Sequence, residues 1–205
     1  MTTVGVARTA PAFTRGIDCL TPMANNVARM FKADGYIFVG RYLETLTLLE
    51  RDWIFSAGLG IFLYTEATSG FLDAAAGSGR GIASVARAKA LQAPPTLHTL
   101  IDLESTTGDA ASVSDYANVF HDELVSGGYD SITYVGAGQI LDAAQLYALK
   151  THRYMRSGSL VPKPKCGWCA LQLSPLDQII HGQRVDVVIV ENDYDGRRPT
   201  LWFPS

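Results

Sequence analysis

The chain has 205 residues, 47% of them hydrophobic and 18% charged, enough to bury a substantial core as one domain and too few for two ordinary ones. Its formal charge of -3, with Lys and Arg scattered rather than clustered, leaves no footprint for nucleic acid or an anionic membrane surface. No apolar run reaches the roughly 18–20 residues of a membrane span, and residues 1–10 lack the apolar centre of a secretion signal.

In chain order, residues 1–14 read as a loose N-terminal arm and residues 15–205 as the domain. Arg15-Gly16-Ile17-Asp18-Cys19 is a short strand ending in an acid, which makes Asp18 the first candidate site residue. Thr21-Pro22 offers an N-cap with proline at the first helical position, and Met23, Val27, Met30 and Phe31 fall on one helical face up to Asp34-Gly35. Residues 36–43 form a second strand, nearly continuous in apolar character, as a strand covered on both faces is. It carries Arg41, which after a buried strand must find a partner: a carboxylate at the barrel mouth would serve, in a structural ion pair, and the alternative is contact with a ligand. Thr47 and Glu50 have capping-box spacing for a helix that runs to Gly58. The third strand, 60–66, passes Tyr64 and ends in a carboxylate, Glu66.

An alanine-rich helix over 81–92 is stopped by Pro94-Pro95, and residues 97–104 then form the central strand. Residues i and i+2 of a strand share a side, so Asp102 and Glu104 project together from its carboxyl end, where α/β proteins keep their sites. Two acids in one pocket repel when both are ionised, so one is pushed toward neutrality and delivers a proton while the other stays charged; this is equipment for cleaving an acetal, the alternative being two solvated acids at the mouth of a loop or one that caps the next helix. Ser112 or Ser114 caps the next helix, a fifth strand over 131–136 carries Tyr134, and a helix follows over 140–149. In the last quarter 152–156, 166–173 and 185–190 read as strands, with the helices between them missing or reduced. The alternation predicts an α/β fold, a compact single-domain (β/α)8 TIM-like barrel of eight short parallel strands with about five helices.

Cys166-Gly167-Trp168-Cys169 has C-x-x-C spacing without a second Cys/His pair. The histidines at 98, 121, 152 and 181 show no metal spacing, and no Gly-x-Ser-x-Gly elbow is present. No metal or cofactor is implied.

Gly16-Ile17-Asp18, the Asp102-x-Glu104 strand end and Val185-Asp186 together resemble the family 25 glycoside hydrolases, compact barrel lysozymes that cut the peptidoglycan glycan. Arg41-Tyr42-Leu43, Leu46-Thr47 with Glu50, and Gly58-Leu59 are similar to the related glycoside-hydrolase-like domain of unknown function 1906. There are departures. Leu171-Gln172 stands where the family often has Trp-Gln, so the aromatic platform there is either lost or supplied by Trp168, and Glu191 and Asp193 rival Asp186.

The resemblance implies a muramidase-like hydrolase. Glu104 would be the proton donor and then the base, and Asp102 would stabilise the transition state directly or through the substrate's N-acetyl group. Asp18 and Asp186 would bind sugar and tune Glu104, while Tyr64, Glu66, Tyr134, Gln172 and Arg41 would line the groove. The implied partner is peptidoglycan or a related glycan, reached by a phage lysin or virion component at the cell wall, or a cytoplasmic location otherwise. The alternative is a glycan-binding or structural barrel without catalysis, in a phage particle or a cell-envelope assembly.

Overall fold

The computed structural model describes residues 5–65 and 72–205. The elements run β1 (Val6–Thr9), β2 (Arg15–Asp18), α1 (Asn25–Ala33), β3 (Phe38–Tyr42), α2 (Leu48–Ser56), β4 (Gly60–Tyr64), α3 (Ala74–Ala90), β5 (His98–Leu103), α4 (Ala110–Ser126), β6 (Asp130–Val135), α5 (Ala143–Tyr147), β7 (Tyr154–Arg156), β8 (Ala170–Ile180), β9 (Gln183–Val190) and β10 (Thr200–Phe203). From β2 to β8 each strand pairs parallel with the next, and β9 lies between β8 and β2, closing an eight-stranded ring. The first five strands of the ring are each followed by a helix, and no helix separates β7, β8 and β9. This is a TIM-like barrel with its last quarter stripped of helices.

Two expectations about the strands are corrected. The closing strand is antiparallel to both neighbours, not parallel. Its connection explains why: Ile180 pairs with Gln183 across a two-residue turn in which His181 and Gly182 both have positive φ, 51° and 75°, the tight link that joins antiparallel strands and leaves no room for a crossover helix. The first ordered strand also precedes Arg15. The stretch read as a loose arm contains β1, which pairs with β10 from Val6↔Phe203 to Thr9↔Thr200. β10 in turn meets β4 at Trp202↔Ile61, below the two positions where β4 pairs with β5.

Local chemistry accounts for the helix starts. Thr47 caps α2 by accepting from the Glu50 amide at 3.1 Å. Asp73 and Asp109 cap α3 and α4, so Ser112 and Ser114 lie inside α4 rather than at its start. Asp142 and Gln145 form a reciprocal capping box on α5. Thr21-Pro22 does not start α1, whose N-cap is Ala24 without a side-chain bond; Thr21 instead donates to Gln183 Oε1 at 2.5 Å.

The core is divided by the strand wall. Alternate residues face outward to the helices, among them Ile17, Val39, Ile61, Ile101 and Val135. The inward set, including Phe38, Phe62, Leu100, Ile132, Met155, Ala170 and Val188, fills the barrel, as period-two alternation requires. Followed toward the carboxyl ends of the parallel strands, each inward column changes character. Phe62 gives way to Tyr64, Leu100 to Asp102, Ile132 to Tyr134, and Ala170 to Gln172. The apolar filling stops one layer short of the rim, and the cavity begins there.

Candidate active site

The cavity, of about 460 Å³, opens at this upper mouth and is lined by Asp18, Asp102, Glu104 and Asp186 together with Tyr42, Tyr64, Tyr134 and Gln172. That size suits a small ligand or a sugar unit, and a few convergent polar groups on an apolar floor are the usual form of such sites.

Asp18 ends β2 and stands in register with Asp186 of β9. Only the antiparallel sense of β9 allows this, because Asp186 lies near the start of its strand and a parallel strand would carry it to the opposite mouth. Of its rivals, Asp193 is buried elsewhere in an ion pair with Arg197 at 2.9 Å, and neither it nor Glu191 lines the cavity.

Asp102 and Glu104 form the opposite wall. Asp102 Oδ1 accepts from the Glu104 amide at 2.9 Å, so the bend that ends β5 ties the two acids together. Ser105 follows in the left-handed region at φ 50°, an uncommon conformation for a residue with a side chain. Opposite it, a Cβ on Gly136 would lie 2.6 Å from Glu104 Cβ, so that glycine gives Glu104 its place against β6. On the β3 wall, a Cβ on Gly40 would strike the Tyr64 ring at 2.7 Å.

Burial dominates the electrostatics. It pushes Asp102 up to about 7, helped by the charge of Glu104. Burial, then the charge of Asp186, raises Asp18 well above the carboxylate range, partly offset by Arg41 and by a hydrogen bond from Gln172. Asp186 is raised as well, again chiefly by burial. The hydroxyls of Tyr42, Tyr64 and Tyr134 are pushed upward by the same cause, which keeps them neutral donors. Arg184 is the one cation among the described lining residues, and it sits at the rim paired with Asp177 at 2.7 Å.

Of the other candidates, Tyr64, Tyr134 and Gln172 line the cavity. Arg41 does not. It is fully buried beneath the site, with Nε on Glu50 Oε1 at 2.6 Å and Nη1 on the carbonyl oxygens of Cys19 and Leu20 at 2.5 and 2.9 Å. Its donors hold the loop after β2, so the acidic partner its burial required is Glu50, and contact with a ligand is ruled out by that burial. Trp168 packs against the outer core and supplies no platform. Glu66 lies outside the described residues. Cys166 and Cys169 are buried free thiols.

Sequence reasoning missed Tyr42, Asp177 and Arg184. Tyr42 was legible, since Phe38, Gly40 and Tyr42 are one inward column, and its ring meets Tyr64 edge-on at 5.6 Å. The other two lie where β8 continues past its register shift between Leu173 and Gln178 to pair again with β9. Ser174-Pro175 disguised that continuation as a strand end.

Comparison of the sequence with family models finds no match, and comparison with curated proteins finds none either. Solved structures do resemble it. An uncharacterized B. stearothermophilus protein superposes with a TM-score of 0.65 at 16% identity, over 87% of this chain and 96% of that one. The Mycobacterium tuberculosis Tat-secreted protein Rv2525c, solved in complex with L-tartrate, gives 0.59 at 15% identity, over 89% and 100%. A family GH25 lysozyme from Aspergillus fumigatus gives 0.54 at 15% identity, over 86% and 93%. These likenesses are of fold: a family GH25 lysozyme is built on a similar barrel.

Proposed function

We propose that this protein is a glycoside hydrolase that cleaves the sugar backbone of peptidoglycan, in the manner of a muramidase. The observation that carries the reading is the convergence of Asp18, Asp102, Glu104 and Asp186, from three separate parts of the chain, in one tyrosine-walled cavity at the upper mouth of the barrel. The fold shared with a GH25 lysozyme supports it.

In this reading Glu104, half-buried at the opening, protonates the departing glycosidic oxygen and afterwards takes a proton from the attacking water. Asp102, deeper and tied to the Glu104 amide, stabilises the positive charge that develops at the anomeric carbon, directly or by orienting an N-acetyl group. Asp18 and Asp186 accept hydrogen bonds from the sugar on the other wall, and the tyrosine rings pack against its apolar faces.

One observation favours a second assignment of the same chemistry. Asp102 is the acid that burial brings to about 7, the property expected of a proton donor at neutral pH. Donor and stabiliser then exchange places, with Glu104 the charged partner.

The test is loss of turbidity and release of reducing ends from purified cell walls. Activity is expected from the wild-type chain, with Glu104→Gln lowering kcat by about 10²–10⁴-fold. If Asp102→Asn alone removes the alkaline limb of the pH profile, the second assignment holds. Glycan binding without any product would leave a carbohydrate-binding barrel and end the hydrolase reading.

A further inference from the structure

Gln172 projects from β8 into the cavity and is 4% exposed. Its Nε2 donates to Asp18 Oδ2 and to Asp186 Oδ2, each at 3.3 Å, and its Oε1 accepts from the Tyr134 hydroxyl at 2.8 Å. The orientation of the amide is forced: two acceptors on one side require the NH2, and a hydroxyl on the other side finds the carbonyl oxygen. Both hydrogens are thereby used, so Gln172 has no donor left for a ligand. A polar chain runs from β6 through β8 across β9 to β2, spanning half of the ring.

The chain ends asymmetrically. Asp186 Oδ1 is taken by the Asp177 amide at 2.6 Å. Asp18 Oδ1 is buried and has no hydrogen-bond partner among the described residues, although Asp18 is 8% exposed and lines the cavity. Closed to solvent and without a donor, that oxygen makes the ionised form of Asp18 costly.

We propose that Gln172, locked by Tyr134, is a positioning residue that holds Asp18 and Asp186 through one oxygen of each and so sets the orientation and charge of the acid pair that the glycan meets. This rests on the glycan reading above for the identity of the ligand, but not for the state of the two acids. An amide that donates to both carboxylates favours their ionised forms. Its loss leaves two neighbouring carboxylates without a bridging donor.

Apart from Tyr134, whose hydroxyl is pushed upward by burial and is uncharged near neutral pH, the other ionisable groups near the pair stay unchanged in the variants below. Asp102 and Glu104 face it from β5, Arg41 from beneath, and Asp177 with Arg184 from the rim. Tyr42, Tyr64 and Cys19 also border it, all pushed upward by burial and uncharged near neutral pH.

The experiment compares the wild-type chain with Gln172→Met, which keeps length and bulk but removes every donor and acceptor, and with Tyr134→Phe, which removes only the lock. Carboxyl-carbon NMR of the free protein follows Asp18 and Asp186 through pH, and calorimetry follows the binding of tri-N-acetylchitotriose. In Gln172→Met the acids are expected to bind protons about tenfold more tightly and the sugar about tenfold more weakly, the size of one charged hydrogen bond. The acid limb of sugar binding should move to higher pH. Tyr134→Phe should shift both in the same direction by less. A purely structural role would lower the melting temperature and leave the carboxyl titrations in place, and that result in a folded Gln172→Met protein overturns the proposal. Wild-type binding of the sugar without release of reducing ends from purified cell walls would refute the hydrolase reading alone. Failure of the wild-type chain to bind it overturns the assignment of a glycan to this acid pair.

Discussion

Asp102 lies near the upper end of β5, and Asp130 is the first residue of its neighbour β6, at the lower mouth of the same barrel. Burial pushes Asp102 up to about 7 with Glu104 adding to the rise, and nothing on the cavity wall counters it except the Glu104 amide and the distant Arg80. Burial acts on Asp130 too, but the hydrogen bond from His98, the Ser131 amide and Arg153 outweigh it and hold the acid at about 2. The His98 ring is itself fixed: its Nδ1 accepts from the Thr200 amide at 2.5 Å, which leaves the Nε2 hydrogen to face Asp130 Oδ2 at 3.3 Å. Burial also pushes His98 down, so a neutral imidazole with one proton satisfies both contacts. The lower mouth is covered by β1 and β10, and its acid Asp130 is fully partnered, although Trp202 Nε1 and Arg153 Nε are buried there without a hydrogen-bond partner among the described residues. At the upper mouth, acids are buried with fewer partners than they need, a cost to stability that leaves them ready for a ligand or a proton.

The sharpest way to break the contrast is to damage the lower mouth and ask whether the upper one notices. Trp202 is fully buried in β10, edge-on to Phe55 with centroids 5.0 Å apart and beneath the Arg51 guanidinium at 5.6 Å. Truncating such a residue typically costs about 3–5 kcal/mol. Trp202→Ala is therefore expected to lower the urea midpoint strongly while the remaining folded protein keeps its kcat/KM. Unchanged stability with lost activity would show that the two ends are not separate in function.

The second prediction concerns the cost at the upper mouth. An acid whose pKa is raised in the folded state favours folding at low pH, and that contribution is lost as pH rises from the unfolded value of about 4 through about 7. Asp102→Asn removes the charge and keeps an oxygen for the Glu104 amide. The variant should be more stable than the wild-type chain at pH 8 by roughly 2–4 kcal/mol, at about 1.4 kcal/mol per pK unit, and no more stable near pH 3. Thermal melts across pH measure it. A variant less stable at pH 8 would mean that Asp102 is not desolvated as described.

The barrel itself was legible because alternation and helix periodicity are local properties. Gly16-Ile17-Asp18 and Asp102-x-Glu104 were legible because strands put i and i+2 on one side. The sense of β9 was not, because a strand's sequence is nearly the same whichever way it runs. The signal lay in the two residues His181-Gly182, which only a hairpin uses in this way. Arg41 was ambiguous for a different reason: a buried guanidinium announces that it has a partner but not on which side, and Glu50 was hidden inside an apparent capping box. Gln172 could be placed near the cup, yet its saturation by Tyr134, Asp18 and Asp186 depends on strands far apart in the chain.

The smallest expected effect is the mirror image of the Asp102 prediction. Asp130 has its pKa lowered in the folded state, so its contribution is present above the unfolded value of about 4 and is lost as pH falls through about 2. Its side chain is 35% exposed, and solvent screening reduces the contribution to about 1 kcal/mol. Asp130→Asn should accordingly be less stable than the wild-type chain at pH 7 by that amount, with the difference shrinking toward pH 2. The Asp102 and Asp130 variants therefore diverge from the wild-type chain in opposite directions as pH rises. A melt series in which both gain stability at pH 8 would mean that the lower mouth also holds its acids at a cost, and the distinction between a sealed end and a reactive end would have to be abandoned.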